Sequence, residues 1–203
     1  MYVPKYFEAP SVDSVRSFIE KHSFCVLVGS QDGQPIATHI PLMLQIDGDE
    51  EYLEGHIARG NLQQVLFDSQ QPLMAIFRDH HSYISSSWYK HVNVPTWNYI
   101  AVHITGKARI VEGEELLASI ERLVQAYETN DETGFKLEQM PKEMLDRDLK
   151  GIVGFKMSIE KVEAAFKLSQ NRDDEDYANI ISKLIASGDP MSKLIADEMA
   201  KLR

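Results

Sequence analysis

Residues 36–46 read Ile36-Ala-Thr-His-Ile-Pro-Leu-Met-Leu-Gln-Ile46. Ile36, Thr38, Ile40, Leu42, Leu44 and Ile46 alternate with Ala37, His39, Pro41, Met43 and Gln45, and a period of two sends successive side chains to opposite faces of a strand. The even set therefore faces a core. Pro41 has no N–H to give to a ladder, so this strand belongs at a sheet edge or carries a bulge where Thr38 to Pro41 pass.

Working outward, Gln31-Asp-Gly-Gln34 is a turn, and Phe24 to Ser30 before it is a buried strand. Pro10-Ser11 opens a short helix near 12–21, with Val15, Phe18 and Ile19 on one face. Downstream, Asp47-Gly48-Asp49 turns the chain into a returning strand, Tyr52 to Ile57, which ends in Gly55-His-Ile-Ala-Arg-Gly-Asn61. Asn61 caps a short helix whose apolar face is Leu62, Val65 and Leu66. Pro72 to Phe77 is another strand, Arg78 to Thr96 a long connection, and Trp97 to Val111 a principal strand with Gly106 as its bulge or bend.

From Gly113 the period becomes helical: Leu116, Ile120, Leu123, Val124 and Tyr127 share a face, and the Thr129–Gly134 stretch ends that helix. Pro141 opens a short helix and Gly151 to Ile159 is a strand. Two helices close the chain, the first on Tyr177, Ile180, Ile181, Leu184 and Ile185, the second on Met191, Leu194, Ile195 and Leu202 after Gly188-Asp-Pro190. Strands concentrate in the first 110 residues without a β-α-β rhythm, which predicts a mainly β fold with peripheral helices (α+β), an antiparallel barrel or sandwich rather than a doubly wound sheet. The expected organisation is a domain over 1–172 and a helical segment over 173–203.

The chain has 203 residues, 43% of them hydrophobic and 26% charged, the profile of a globular protein with a sizeable core. A formal charge of −10 repels phosphate backbones and disfavours a broad nucleic-acid footprint. Cys25 is the only cysteine, and Phe24-Cys-Val-Leu-Val28 makes it a buried small apolar residue in a reducing compartment, not a nucleophile. No run approaches a membrane span, and the N-terminal residues lack a signal-peptide layout, so the expected location is cytoplasmic.

Gly55-x-x-x-x-Gly60 has the glycine spacing of a triphosphate-binding loop, but Asn61-Leu62 stands where Lys and Ser/Thr would reach phosphate and magnesium. The segment still puts His56, Arg59 and Asn61 at a strand-to-helix junction, where backbone N–H groups and a guanidinium can hold a phosphate monoester. A helix cap beside a surface arginine is the plainer alternative. Thr38 and His39 on an edge strand are candidates to line the same cleft. The seven histidines show no metal-ligand spacing, and adjacent His80 and His81 point apart on a strand.

Tyr83 to Tyr99 holds two tryptophans, Trp88 and Trp97, and three tyrosines together with hydroxyls and the amide of Asn98. Such a segment suits either core packing or a flat conjugated ligand; an RNA-binding stack would interleave more than Lys90. Phe166-Lys-Leu-Ser-Gln-Asn-Arg172 is dense in donors, and Lys167, Ser169, Gln170 and Asn171 serve either a ligand or an Asn/Ser turn. The acidic run Asp173-Asp-Glu-Asp176 matches a helix N-terminus.

The ordered blocks Met1-Tyr-x-Pro4, Ala37-Thr-His-Ile-Pro-Leu42, Gly55-His-Ile-Ala-Arg-x-Asn61, Tyr83-Ile-Ser85 with Ser87-Trp-Tyr89, Val94-Pro-Thr-Trp-Asn-Tyr99, Gly151-Ile-Val-Gly-Phe155 and Phe166-Lys-Leu-Ser-Gln-Asn-Arg172 resemble the PaiB family of FMN-binding negative transcriptional regulators. The resemblance spans nearly the whole chain. It implies a flavin-binding split β-barrel similar to the pyridoxamine-phosphate oxidase-like superfamily, with a C-terminal helical appendage. It further implies a homodimer with FMN at the subunit interface and a regulatory role. By analogy the flavin phosphate lies near His56 to Asn61, and Thr38, His39, Trp97 and Asn98 flank the ring. The chain departs from the family at Asp79-His80, Ser86 and Leu62.

Three function classes follow. The first is an FMN-binding dimer with a regulatory role. The second is an enzyme on the same barrel, a flavin-dependent reductase or oxidase, or a haem-binding protein with His39, His56 or His103 as axial ligand. The third, direct repression on DNA, finds no helix-turn-helix and no basic helix, and the segment from Asp173 carries seven acidic against four basic residues.

Overall fold

The computed structural model describes residues 1–128 and 134–203, so the predicted end of the helix beginning at Gly113 lies partly outside the described residues. Among the described residues nine strands form two antiparallel-paired sheets: β1 Phe24–Gln31, β2 Gln34–Pro41, β3 Met43–Asp47, β4 Glu50–Ala58, β5 Leu73–Ile84, β6 Thr96–Gly106, β7 Ala108–Val111, β8 Ile152–Ser158 and β9 Lys161–Lys167. The orders are β2-β1-β5-β6-β9 and β3-β4-β8-β7. The helices are α1 Val12–Lys21, α2 Gly113–Glu128, α3 Lys142–Leu149, α4 Asp174–Ala186 and α5 Pro190–Ala200. This is the expected α+β architecture.

Packing divides the chain into two units, one of residues 1–18, 77–103 and 163–203, the other of 19–76 and 104–162. In the second unit, Asp32 and Gly33 take positive φ at the β1–β2 turn, and β1 pairs with β2 from Phe24↔Pro41 to Gln31↔Gln34. β2 is an edge strand, as Pro41 requires.

The continuous strand expected over 36–46 is instead two strands in different sheets. Pro41 ends β2, the Leu42 N–H donates to Ser23 O (2.9 Å), and Met43 begins pairing with Glu54 of β4. The alternation runs through the break because the even side chains Ile40 and Leu42 are buried on either side of it, while Ile46 at the far end is exposed. Gly55 makes the break feasible: a Cβ there would sit 2.9 Å from Pro41 O and 2.6 Å from Leu42 Cδ2.

A second hand-off replaces the single strand expected over 97–111. β6 ends at Gly106 and β7 starts at Ala108 in the other sheet, with Ser158 N donating to Lys107 O (2.9 Å). A Cβ on Gly106 would lie 1.7 Å from Ser158 O, so the expected bend needs glycine for close backbone approach. The core around these crossings holds Leu27, Leu42, Leu53, Leu73, Ile104 and Met157, with Phe67 against Phe155 at 4.3 Å between ring centroids. Leu116 and Ser119 are the buried residues of α2, whereas Tyr127 at its end is exposed, with its hydroxyl against Ser23 Oγ.

Two further expectations change. The connection proposed for 78–96 is shorter, because β5 continues to Ile84; its burial switches phase from Leu73, Ala75 and Phe77 to His80, Ser82 and Ile84, which hides the strand in a polar sequence. After Asn61 the expected short helix forms as a 3-10 helix, Leu62–Leu66, but with a different buried face. Its three-residue repeat buries Gln63 and Leu66, leaving Leu62 74% exposed and Val65 outside as well.

In the first unit, α4 begins at the Asp173 cap, whose carboxylate accepts from Asp176 N (2.9 Å), and α5 at Asp189, which accepts from Ser192 N (2.8 Å) with Pro190 in the first turn. Tyr177, Ile180, Leu184, Ile195 and Met199 are buried, and the Tyr177 hydroxyl donates to Met199 O (2.9 Å). Ile185 and Leu194, expected on the apolar faces, are exposed.

Candidate functional site

The twelve candidate residues fall in two groups, one in each unit. Thr38, His39, His56, Arg59 and Asn61 belong to the second unit, and the junction between β4 and the 3-10 helix organises them. Asn61 caps that helix through Oδ1, which accepts from Gln63 N (2.9 Å), while its Nδ2 donates to Thr38 Oγ1 on β2 (2.9 Å). Thr38, a candidate to line the same cleft as the junction, is thus bonded directly to Asn61.

Arg59 follows β4 and is exposed, yet its guanidinium is fixed. Nε donates to Lys150 O (2.7 Å) and Nη2 to Ile152 O (2.8 Å), while the Arg59 N–H donates to Gly151 O (2.8 Å). A guanidinium has five N–H donors, so several remain. Nη1 and the N–H groups of Gly60 and Leu62 have no protein acceptor among the described residues. His56 is half-buried on β4, and burial pushes its pKa down, which holds the imidazole neutral. His39 is exposed on the edge strand and stacks on Phe24, with ring centroids 6.5 Å apart.

The second group, in the first unit, contains Trp88, Trp97, Asn98, Lys167, Ser169, Gln170 and Asn171. Trp97 is 51% exposed and meets Tyr83 edge to face at 5.6 Å and His81 at 5.9 Å, an open aromatic surface on β5 and β6. Trp88 lies half-buried in a short 3-10 turn, where its carbonyl accepts from Asn179 Nδ2 (2.5 Å). Asn98 is fully buried: its Oδ1 accepts from Ser169 Oγ (3.0 Å), and its Nδ2 faces Met199 Sδ (3.5 Å). Gln170 accepts from Leu168 N through Oε1 (2.8 Å) and donates from Nε2 to Phe166 O.

Asn98, Ser169 and Gln170 thus build the loop after β9, in which Ser169 takes φ +63°. Asn171 is exposed on the loop, and Lys167 is half-buried with Nζ donating to Thr96 Oγ1 (2.5 Å). His103, the remaining candidate axial ligand, is half-buried on β6, and its pKa falls through burial and then the N-terminal ammonium, against an opposing effect of Glu163.

Sequence reading missed the charged network beside β4. Glu54 is buried under Arg122 of α2, and Glu115 bridges Arg109 and Lys156, while Lys156 lies over the Tyr52 ring. Its members are far apart in sequence, and only the acidic residue inside an apolar strand, Glu54 between Leu53 and Gly55, signals it. Cys25 is buried, and burial pushes its thiol up to about 12, consistent with an inert core residue. None of the described helices is long and apolar enough to cross a membrane.

The family described as "Putative FMN-binding domain" matches residues 1–161. The chain is 41% identical over 199 residues to the "Protease synthase and sporulation protein PAI 2" of Bacillus subtilis, covering 98% of this chain and 96% of that one. Among solved structures it is similar in fold to the flavocytochrome Anf3 of Azotobacter vinelandii, with a TM-score of 0.61, 16% identity, and coverage of 87% of this chain and 78% of that one. The FAD and haem binding protein of Mycobacterium smegmatis aligns with a TM-score of 0.55 and 15% identity, covering 90% of this chain and 80% of that one.

Proposed function

Since this chain belongs to the PaiB family, we propose that it is a flavoprotein that binds FMN, acts as a homodimer, and exerts its regulatory effect through the flavin rather than by contacting DNA. The observation that carries the FMN reading is Arg59. Two backbone carbonyls immobilise its guanidinium, no carboxylate neutralises it among the described residues, and Nη1 remains available. A guanidinium ordered in folding rather than in binding suits a phosphate dianion, because little side-chain entropy is lost when the ligand arrives.

The chemistry around it agrees. Gly60 and Leu62 offer backbone N–H groups, the Asn61–Thr38 bond holds the junction against β2, and a neutral His56 adds an uncharged polar group. Separately, within the first unit, the exposed Trp97 with Tyr83 and His81 is a surface of the kind a conjugated ring stacks on. Bound FMN supplies reversible electron transfer; the protein's part is to hold the phosphate and orient the ring. The charge of −10 and the acidic segment from Asp173 support an effect on transcription that does not run through DNA contact.

Flavin fluorescence titration of the wild type and Arg59→Ala with FMN and with riboflavin tests this reading. A charged hydrogen bond of about 1.5–3 kcal/mol corresponds to roughly a 10- to 150-fold loss of FMN affinity in Arg59→Ala, with riboflavin unchanged. Equal losses for both ligands would remove Arg59 from the phosphate site. Light scattering is expected to return the mass of two chains, and promoter DNA is expected to show no specific, salt-sensitive shift.

A further inference from the structure

Lys167 ends β9, half-buried, in a chain of net charge −10, and no carboxylate pairs with it among the described residues. Among the described residues its Nζ donates to Thr96 Oγ1, and the rings of Phe7 and Tyr99 flank it at 5.9 Å each. Because the ammonium occupies a lone pair of Thr96, the hydroxyl proton is left to donate elsewhere, and two ammonium protons remain as well.

Five residues on, Arg172 closes the same loop through its N–H to Ser169 O (3.0 Å). Its guanidinium lies over the Tyr89 ring, 4.7 Å from the centroid, and its Nε is buried with no acceptor among the described residues. The acids that follow are engaged elsewhere: Asp173 caps α4 and faces Lys90 with Glu175, Asp174 pairs with Arg203, and Asp176 accepts from Lys90 N. Burial, and then the Arg172 charge, push the Lys167 pKa down, so the Lys167 ammonium is raised in energy by its surroundings.

Two cations stand at the ends of one loop, no carboxylate pairs with either among the described residues, and one oxyanion can accept from both. The loop is built to hold them there: Ser169 keeps φ +63° through its bond to the buried Asn98, and Gln170 ties the turn to Leu168 N and Phe166 O. We propose that the end of β9 and the loop after it form a phosphate-binding site, in which the Lys167 ammonium, the Thr96 hydroxyl and the Arg172 guanidinium receive the oxyanion. Lys alone would act as a point charge; the added hydroxyl and guanidinium give the site direction. The proposal stands on these residues and does not rest on the Arg59 reading.

The test follows the reactivity of the Lys167 amine in the full chain. Protein as purified is treated with trinitrobenzenesulfonate at constant ionic strength, with and without millimolar inorganic phosphate, and labelling is mapped by peptide mass spectrometry against the exposed Lys183 and Lys201. Phosphate is expected to slow labelling of Lys167 at least about fivefold, with chloride inactive and the control lysines unaffected; a charge-assisted contact weakened in Thr96→Val and Arg172→Met should lose most of that protection. Thr96→Val preserves the test if Arg172→Met disturbs Tyr89 packing.

Repeating the labelling with FMN and with riboflavin distinguishes the source of the phosphate. Protection by FMN and not by riboflavin assigns the site to the flavin's own phosphate, whereas undiminished protection by inorganic phosphate on FMN-loaded protein assigns it to a second, phosphorylated ligand. Both results support the site, and the first moves the flavin phosphate from Arg59 to this loop. A Lys167 rate indifferent to phosphate and FMN alike overturns it, and leaves the FMN affinities of the wild type and Arg59→Ala to be judged separately.

Discussion

Replacing Arg122 with methionine leaves the Glu54 carboxylate buried without its counter-charge. Glu54 is 0% exposed on β4, and Arg122 reaches it from α2 in a bidentate pair, Nε to Oε1 and Nη2 to Oε2, both 2.7 Å. Breaking a fully buried pair from one side costs about 3–5 kcal/mol. Because the Arg122 side chain is 36% exposed, water can reach the vacated end, and about 2–3 kcal/mol is expected here. For a domain of this size that is a fall in Tm of roughly 5–10 °C. The double variant Glu54→Met/Arg122→Met removes both charges and is expected to recover most of the loss, since apolar replacements of buried pairs are near neutral. Urea unfolding of the two single variants and the double variant gives the coupling free energy directly. Single losses under about 0.5 kcal/mol that simply add would show that the pair does not hold α2 to β4.

Other consequences follow from the same geometry. Hydrogen bonds from Arg109, and then from Lys156, hold Glu115 down to about 2 in the folded chain against 4.5 for the free group. Its contribution to stability is therefore complete above the unfolded value and is lost as pH falls through 4.5 towards 2; in acid titrations Glu115→Gln should flatten that limb, and an unchanged limb would show the bridge is idle. Cys25 should not react with Ellman's reagent in the native state and should react fully in denaturant, because its thiol is buried and pushed up to about 12; rapid native labelling would contradict its place in β1. Ser169→Ala should cost about 1–3 kcal/mol by leaving Asn98 Oδ1 buried without a donor, read as a lowered urea midpoint; an unchanged midpoint would mean that the bond does not shape the loop.

Much of the fold is legible because local chemistry and packing agree. The Ser11, Asp173 and Asp189 starts, the edge position forced by Pro41 and the bend at Gly106 are all short-range facts. What the sequence hides is where strands change sheets. Alternation survives the crossings at Leu42 and Lys107 because the side chains before and after each crossing are buried alike. The polar run from Arg78 to Ser82 conceals the second half of β5, since its burial pattern shifts phase within the strand.

The candidate site divides in the same way. The proximity of Asn61 and Thr38 follows from a cap meeting an edge strand. The fixing of Arg59 by Lys150 and Ile152, and the burial of Asn98 against Ser169, join residues 71 to 93 positions apart that no local pattern connects.

The most direct measurement of flavin binding is the absorbance spectrum of the purified chain before and after FMN is added, with gel filtration to follow the flavin. An oxidised-flavin spectrum that co-elutes with protein, with binding on the order of micromolar or tighter, is the predicted result. FMN that elutes entirely in the free fraction at that concentration, with no change in its fluorescence, would contradict the account.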